Sequence, residues 1–423
     1  MPLPAGRLLS AAVLVALAVS GVVFLLGRGD ASRAAPPAPI ATAAVVRPAG
    51  SDRPGPSVGP GGSVRPGVHA RPAASGRASG PADRLSTAEL AGQRIIYAYA
   101  GLRPPSSLLA AIRDGEAAGV IFFANNVASS AQLRGVIAGL QRAARAAPGH
   151  RPLLMLADQE GGEVRRLPGA PAASERQIGA APRAVAQAGA AGKAAGQTLR
   201  AAGVNVNLAP VLDVFRRAGD FIDQYARAYS SHPSVVVDLG AHFIDAQQRT
   251  GVAATAKHFP GLGPAATAQN TDLRPVTLTT SAARLRVADE LPYRAAIAVG
   301  VKLVMISWAR YPGLDARLPA GLSPAIIGGE LRRRLHFSGV TITDGIEAGA
   351  LAGFGATGSR AVLAARAGAD LILCAATDPS ANTPALGGAA RDAITAAIAR
   401  GSLNRTAARA AAGRVLALRA SRF

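Results

Sequence analysis

The sequence predicts an α/β protein built as a (β/α)8 barrel, that is, a closed ring of eight parallel strands with a helix after each strand. From about residue 85, short apolar runs rich in β-branched residues alternate with longer Ala/Leu/Arg segments of helical period. Eight such units fit a barrel better than an open doubly wound sheet, whose Gly-rich phosphate-binding turn is not found in the sequence.

The eight predicted strands follow one another in a regular order. They are Arg94–Ala98, Gly119–Phe123, Leu153–Ala157, Val204–Leu208, Val252–Ala256, Lys302–Ser307, Val340–Thr343 and Asp370–Cys374. Helices are predicted near 106–117, 130–147 and 182–201, and a last one near 403–420 ends the chain.

Residues 1–28 form a targeting segment. Leu8–Gly27 is free of charge, lies between Arg7 and Arg28, and is about long enough to cross a bilayer as a helix. We expect an uncleaved membrane anchor, because no good small-residue cleavage site follows. The folded domain would then lie outside the cytoplasm, held at the membrane, or would be secreted if the segment is cleaved.

Two further regions follow the targeting segment. Residues 29–84 are rich in Pro, Gly, Ala and Arg and have no apolar period, which predicts a disordered linker. Residues 85–423 are left as a single domain, since no second domain remains after the eight units. Cys374 is the only cysteine and lies in an apolar run, so no disulfide is expected.

The formal net charge of +21 favours anionic partners. The arginines are scattered, only 4% of residues are aromatic, and no nucleic-acid-binding motif occurs, so nucleic acid is not expected as a partner. The membrane surface or an anionic cell-envelope polymer fits better. The six histidines are dispersed, so we expect no metal and no cofactor. The domain is predicted to be a monomer.

In a (β/α)8 barrel the functional site lies at the carboxyl ends of the strands. The polar residues that follow the predicted strands there are Asn125, Asp158, Asp213, Lys257 with His258, Trp308 and Asp344.

The segment Lys257-His258-Phe-Pro-Gly261 places a cation and an imidazole at the end of the fifth strand. Only three lysines occur in the chain, so a lysine at this place is not a generic solubilising residue. A structural role at the barrel rim is the alternative. The segment resembles the Lys-His-Phe-Pro-Gly signature of family 3 glycoside hydrolases, especially the single-domain β-N-acetylhexosaminidase branch.

Two other segments resemble motifs of the same family. Asp158-Gln-Glu-Gly-Gly-Glu-Val-Arg-Arg166 is similar to its Asp-Gln-Glu-Gly-Gly-x-Val-x-Arg element, and Ala226-Arg227-Ala-Tyr229 lies in a block that is similar to one carrying a pocket arginine. The resemblance implies that Asp158, Arg166, Arg227, Lys257 and His258 contact a sugar. Without it, the Asp-Gln-Glu run reads equally well as a solvated turn, and Arg227 as a surface residue.

Asp344 ends the β-branched run Val340–Thr343, and a carboxylate on a rigid strand end suits a nucleophile. A helix N-cap is the alternative, because Gly-Ile-Glu follows. The segment resembles the family's Thr/Ser-Asp-x-Leu-x-Met nucleophile motif, with Ile346 and Ala348 in place of Leu and Met.

The sequence departs from the family at the acid/base loop. Asn270 and Ala268 occupy the positions of the family's His-Asp pair, and an asparagine cannot transfer a proton. Three interpretations stay open: Asp272 on the same loop is the acid/base, Glu160 or Glu347 is, or the protein binds a glycan without hydrolysing it efficiently.

The resemblance implies a retaining glycoside hydrolase that removes a terminal β-linked sugar, with N-acetylglucosamine from cell-wall or chitin-type glycans as the expected sugar. A β-glucosidase-type specificity is the nearest enzymatic alternative. A catalytically impaired sugar-binding or sensing protein on the same barrel is the alternative from another class.

Overall fold

The structure, a computed structural model, describes residues 80–421 of the chain. The predicted anchor Leu8–Gly27 and nearly all of the predicted linker 29–84 lie outside these residues. No helix within the described part is long and apolar enough to cross a membrane. Residues Pro81–Arg84, at the end of the predicted linker, form a short 3-10 helix that contacts the C-terminal helix through Asp83 and Arg409.

Eight parallel strands close into a barrel, which confirms the predicted fold class. In chain order, the first to the eighth barrel strands are Ile95–Tyr97, Gly119–Phe122, Leu154–Ala157, Val206–Asn207, Ala253–Phe259, Leu303–Ile306, Val340–Gly345 and Leu371–Cys374. Each strand pairs with its neighbours in the chain, and the first pairs with the eighth, Ile95 with Ile372, to close the ring.

Helices cover the outside of the barrel. The α-helices are Thr87–Gly92, Ser106–Arg113, Ser130–Ala146, Glu175–Gly179, Ala184–Ala202, Pro233–Gln248, Ala282–Arg284, Leu291–Ala298, Thr357–Ala367, Pro384–Ala399 and Arg405–Ala420. Two helices with π-type hydrogen bonding, Leu285–Asp289 and Ala325–Arg334, complete the layer.

The strands are mostly apolar because both of their faces are buried, and their polar residues are concentrated toward the carboxyl ends of the fifth and seventh strands. Side chains that alternate along the strands fall into two packed groups. In the third strand, for example, Leu154 and Leu156 belong to the group that fills the barrel, whereas Met155 and Ala157 pack against the helices. This explains why the strands appear in the sequence as continuous apolar runs and not as alternating ones.

A short hairpin follows the third strand and pairs Gln159–Gly161 with Val164–Arg165. Its turn depends on two glycines with positive φ, 121° at Gly161 and 57° at Gly162. A Cβ at Gly161 would lie 2.3 Å from the Ala173 carbonyl oxygen, so only glycine fits there. The hairpin therefore lies directly on the segment that begins the helix Glu175–Gly179.

Candidate active site

A cavity of about 400 Å³ opens at the carboxyl ends of the barrel strands. Its inner wall is formed by apolar strand residues, among them Ile121, Leu208 and Met305. The predicted site residues that line it are Asp158, Arg166, Arg227, Lys257, His258, Asp272 and Asp344. Seven side chains that are scattered over almost 190 residues of sequence thus meet at one cavity.

Lys257 lies at the centre of a buried ionic cluster. Its Nζ is 2.8 Å from Asp158 Oδ1 and 2.7 Å from Glu160 Oε1. Burial acts to lower the pKa of Lys257, but the two carboxylates outweigh it and raise that pKa. Lys257 is therefore a permanent cation, and the fifth strand extends to Phe259 to hold it in the barrel wall, beyond the predicted end at Ala256.

Arg227 joins the same cluster from the segment after the fourth strand. Its Nε and one terminal nitrogen donate to Glu160 Oε2 and Oε1 at 2.9 and 2.8 Å, a bidentate pair. Burial alone would raise the pKa of Glu160, but Arg227 and Lys257 hold it well below its usual range. Because both oxygens are engaged by cations, Glu160 cannot serve as a proton donor, and that interpretation of the sequence is wrong.

Asp158 connects the cluster to the cavity. Burial would raise its pKa, but Lys257 and then Arg166, whose Nε is 3.9 Å away, lower it. Asp158 therefore presents an ionised carboxylate to the cavity as an acceptor for hydroxyl groups. Arg166 is held only loosely and its Nε has no hydrogen-bond partner among the described residues, which leaves donors for a ligand.

His258 is fixed by Asp213, which lies behind it and does not line the cavity. His258 Nδ1 is 2.7 Å from Asp213 Oδ2, while Asp213 Oδ1 accepts from the backbone N–H of Leu262 at 2.6 Å. The buried carboxylate therefore orients the imidazole and leaves Nε2 as its free nitrogen. Asp213 also anchors the start of the loop that carries Asp272.

Three carboxyls that line the cavity form no ion pair within the described residues: the exposed Glu163 and the half-buried Asp272 and Asp344. Asp344 accepts a hydrogen bond from the backbone N–H of Gly345 at 2.8 Å and caps no helix. Burial, and then the proximity of Asp344, raise the pKa of Asp272 to about 6. Two neighbouring carboxyls thus face one cavity, and the raised pKa of Asp272 suits a group that gives up and takes back a proton.

The loop that carries Asp272 is fastened to its neighbours. The Asp272 carbonyl accepts from the Gly349 N–H at 2.7 Å, and the Thr271 carbonyl accepts from the Ala350 N–H at 3.0 Å. Asn270 also lines the cavity, but its Oδ1 accepts from the Asp272 N–H at 2.8 Å. Asn270 therefore shapes the turn that presents Asp272.

Three polar residues considered in the sequence lie away from the cavity. Glu347 pairs with Arg360 and accepts from Thr357, so the interpretation of Glu347 as acid/base is wrong. Trp308 is buried and donates from Nε1 to the Gly345 carbonyl at 2.9 Å, which supports the backbone beside Asp344. Asn125 is exposed and donates to the Pro379 carbonyl.

Glu175 is a buried carboxyl that the sequence does not reveal as part of the site. Its Oε1 accepts from the Val211 N–H at 2.9 Å, and Oε2 has no partner among the described residues. Burial, and then the neighbouring Glu160, raise its pKa well above the usual range. Since Ser174 caps the helix that Glu175 begins, the local sequence has the appearance of an ordinary helix start.

Metal ligation finds no support in the described residues, because no group of three or more His, Cys, Asp or Glu side chains there could hold an ion. Asp158, which lines the cavity, and Glu160 next to it are paired with Lys and Arg, which compete with a metal for these two carboxylates.

Comparison with known proteins gives the family. Residues 89–418 match the Glycosyl hydrolase family 3 N terminal domain. An uncharacterised secreted glycosyl hydrolase of Arthroderma benhamiae is 44% identical over 80% of this chain and 94% of its own length. A beta-hexosaminidase of Xylella fastidiosa is 33% identical over 62% of this chain and 77% of its own.

A solved structure agrees with these relatives. The family 3 β-N-acetylglucosaminidase of a Paenibacillus species has a TM-score of 0.74 at 34% identity, and the match covers 79% of this chain and 62% of that one. The match over most of the chain, together with the acidic and basic residues gathered at one end of the barrel, leads to a plain conclusion: this chain belongs to glycoside hydrolase family 3 and is a glycoside hydrolase.

Proposed function

We propose that the protein is a retaining β-N-acetylhexosaminidase, which removes a terminal β-linked N-acetylglucosamine with Asp344 as nucleophile and Asp272 as acid/base. The observation that carries the proposal is that Asp272 and Asp344, two half-buried neighbouring carboxyls without ion pairs among the described residues, come from different loops and line one cavity. The names of the Xylella and Paenibacillus relatives support N-acetylglucosamine as the sugar.

The ionic cluster holds the terminal sugar. Asp158 accepts hydrogen bonds from vicinal hydroxyls, while Lys257 and Arg227 supply donors from fixed positions and Arg166 supplies donors from a looser one. His258 adds a donor or acceptor through Nε2. Because all of these side chains except Arg166 are already held by a hydrogen-bonded protein partner, little rotamer entropy is lost when the sugar binds.

The reaction takes place in two steps. An Asp344 oxygen attacks the anomeric carbon as the glycosidic C–O bond breaks, and Asp272 gives its proton to the leaving oxygen. In the second step the ionised Asp272 takes a proton from water, and this water releases the sugar from Asp344. A pKa of about 6 lets Asp272 carry a proton in the first step and accept one in the second.

The substrate source and the place of action complete the proposal. We infer that the domain acts outside the cytoplasm on cell-wall or chitin-type glycans, supported by the word "secreted" in the name of the Arthroderma relative and by the apolar run Leu8–Gly27. We also propose that this run anchors the chain in the membrane, that residues 29–84 are a linker and that residues 85–423 are the catalytic domain. The domain is further proposed to be a monomer with an anionic envelope polymer as a partner.

A comparison of leaving groups tests the role of Asp272. With the full chain, Asp272→Asn should lower kcat/KM about 10²- to 10⁴-fold for the N-acetylglucosamine disaccharide, and far less for an activated aryl glycoside that needs no acid. Wild-type kcat/KM on the disaccharide should fall as the pH rises through about 6, because the first step needs protonated Asp272. This decline should be absent in Asp272→Asn.

The outcomes separate the alternatives. A decline that persists in Asp272→Asn would show that Asp272 is not the acid. Cleavage of aryl β-glucoside in preference to aryl N-acetyl-β-glucosaminide would assign β-glucosidase-type specificity. Binding of the sugar without turnover of any substrate would make the protein a sugar-binding protein, as the asparagine at position 270 allows.

A further inference from the structure

One aromatic ring stands apart from the others at the mouth of the cavity. Tyr225 is 45% exposed and lines the cavity, whereas every other aromatic side chain in residues 80–421 is buried or half-buried. An exposed ring costs free energy in water, and in a chain with so few aromatic residues its place at the mouth calls for a reason.

The segment that carries Tyr225 is held rigidly. Tyr225 ends the short helix Asp223–Tyr225, and Asp223 is anchored by an ion pair with Arg176 and by the Gly219 N–H at 2.9 Å. The guanidinium of Arg176 lies 4.3 Å from the centre of the Phe215 ring, and the Arg176 N–H donates to the Ala226 carbonyl at 3.1 Å. Tyr225 is thus a fixed platform on the rim.

The backbone at the next residue turns sharply. Ala226 has a φ of 54°, a conformation that non-glycine residues rarely adopt and that is concentrated at functional sites. This turn sends Arg227 inward to its pair with Glu160 and leaves Tyr225 at the open side. One strained residue therefore separates a side chain for the inner sugar from an aromatic side chain at the entrance.

The same segment is tied to the loop of Asp272. The Phe221 N–H donates to the Ala265 carbonyl at 3.0 Å, and Thr267 Oγ1 donates to the Gly219 carbonyl at 2.5 Å. When a terminal sugar fills the closed end of a cavity, its leaving group lies toward the open mouth. The mouth is where Tyr225 is found, next to the loop whose carboxyl protonates the leaving oxygen.

We propose that Tyr225 is a specificity-determining residue that forms a leaving-group subsite, where its ring packs on the apolar face of the second pyranose of a β-linked amino-sugar oligosaccharide. This inference rests on the proposed function and adds to it a preference for glycans with a ring in the leaving position. Ring packing of this kind requires the aromatic face and not the hydroxyl group.

Two substrates, three proteins and one control variant test the subsite. Wild type, Tyr225→Ala and Tyr225→Phe are compared, as full chains, on the β-1,4-linked N-acetylglucosamine disaccharide and on methyl N-acetyl-β-glucosaminide, whose leaving group has no ring. Tyr225→Ala should lower kcat/KM for the disaccharide about tenfold and leave the methyl glycoside within about twofold, and Tyr225→Phe should match wild type on both. Val185→Ala, another exposed apolar side chain but one away from the cavity, is the control.

Two results overturn the subsite: an unchanged kcat/KM of Tyr225→Ala on the disaccharide, or equal losses on both substrates, since the latter places the effect in the inner site or the fold. Failure of the proposed function looks different, because wild type then cleaves neither substrate. In that case calorimetric titration decides: the subsite predicts that Tyr225→Ala weakens binding of the disaccharide and not of free N-acetylglucosamine, and equal affinities of wild type and variant for the disaccharide reject it.

Discussion

The two ends of the barrel each hold a buried carboxylate among arginines, but only the carboxyl end opens into the cavity lined by the candidate site residues. At the amino ends of the strands, Asp370 accepts from Arg414 at 3.0 and 2.7 Å through Oδ1. Its Oδ2 accepts from Arg332 at 2.5 Å and from the N–H and hydroxyl of Thr341 at 2.9 and 3.1 Å. Both oxygens are saturated, so nothing remains for a ligand.

The carboxyl ends of the strands are arranged in the opposite way. Glu160 is saturated by Lys257 and Arg227, whereas Asp272 and Asp344 face the cavity and form no ion pair among the described residues. The difference shows that buried ion pairs alone do not identify an active site. Carboxyls with unused hydrogen-bonding capacity beside an open cavity do, and saturated pairs hold them in place.

The largest effect is expected when one carboxylate at each end of the barrel is replaced by the neutral amide. Asp344→Asn should lower kcat on an aryl N-acetyl-β-glucosaminide at least about a thousandfold and leave the free energy of unfolding nearly unchanged, because only a nucleophile is lost. Asp370→Asn should instead cost about 3–5 kcal/mol of stability, because it leaves Arg332 and Arg414 poorly paired.

Urea denaturation and kcat per folded molecule measure the two outcomes. Asp370→Asn should keep wild-type kcat under conditions where it is folded. If Asp370→Asn loses activity while it stays folded, or if Asp344→Asn keeps activity, the division between a structural end and a catalytic end is wrong.

A smaller effect is expected at Glu160, which forms buried ion pairs and also positions residues of the candidate site. Glu160→Gln removes the charge that holds Arg227 and Lys257, so the terminal sugar is misplaced and kcat/KM should fall about 10²-fold. The loss should be the same for activated and poor leaving groups, because Glu160 donates no proton. Glu347→Gln is the matched control, since Glu347 pairs with Arg360 away from the cavity, and it should retain activity. A loss confined to poor leaving groups would restore Glu160 as the acid.

The sequence predicted the barrel because strands buried on both faces appear as continuous apolar runs. It placed the end of the fifth strand too early, at Ala256, because Lys257 and His258 appear to belong to a loop when their partners are unknown. Those partners are far away in sequence: Asp158 lies 99 residues from Lys257, and Glu160 lies 67 from Arg227. Ion pairing across such distances leaves no local pattern.

The same limit explains which site residues the sequence missed. Asp158, Lys257 and Asp344 follow strands, so barrel geometry alone placed them near the site. Tyr225 lies on an irregular segment, and the only signal for it was an aromatic residue in an aromatic-poor chain. No sequence pattern indicated Glu175, because its raised pKa arises from burial and from the nearby Glu160. Neither cause can be read from the residues next to it in the sequence.

The smallest expected effect concerns this buried acid. Burial and Glu160 raise the pKa of Glu175 in the folded chain above the value of 4.5 for an ordinary glutamate, so between these two values the unfolded chain loses the proton while the folded chain keeps it. The contribution of Glu175 to the stability of the folded chain should therefore decline as the pH rises above about 4.5. Glu175→Gln removes this term and still accepts from the Val211 N–H.

Glu175→Gln should accordingly have the stability of wild type near pH 4 and exceed it by a margin that grows as the pH rises toward 8, with kcat unchanged. Urea denaturation from pH 4 to pH 8 measures the difference, with Glu89→Gln as control, because glutamine fills the same capping position on the helix Thr87–Gly92. A stability gain that does not grow with pH would mean that Glu175 is already ionised in the folded protein at low pH, and the assignment of a buried neutral acid at this position would be wrong.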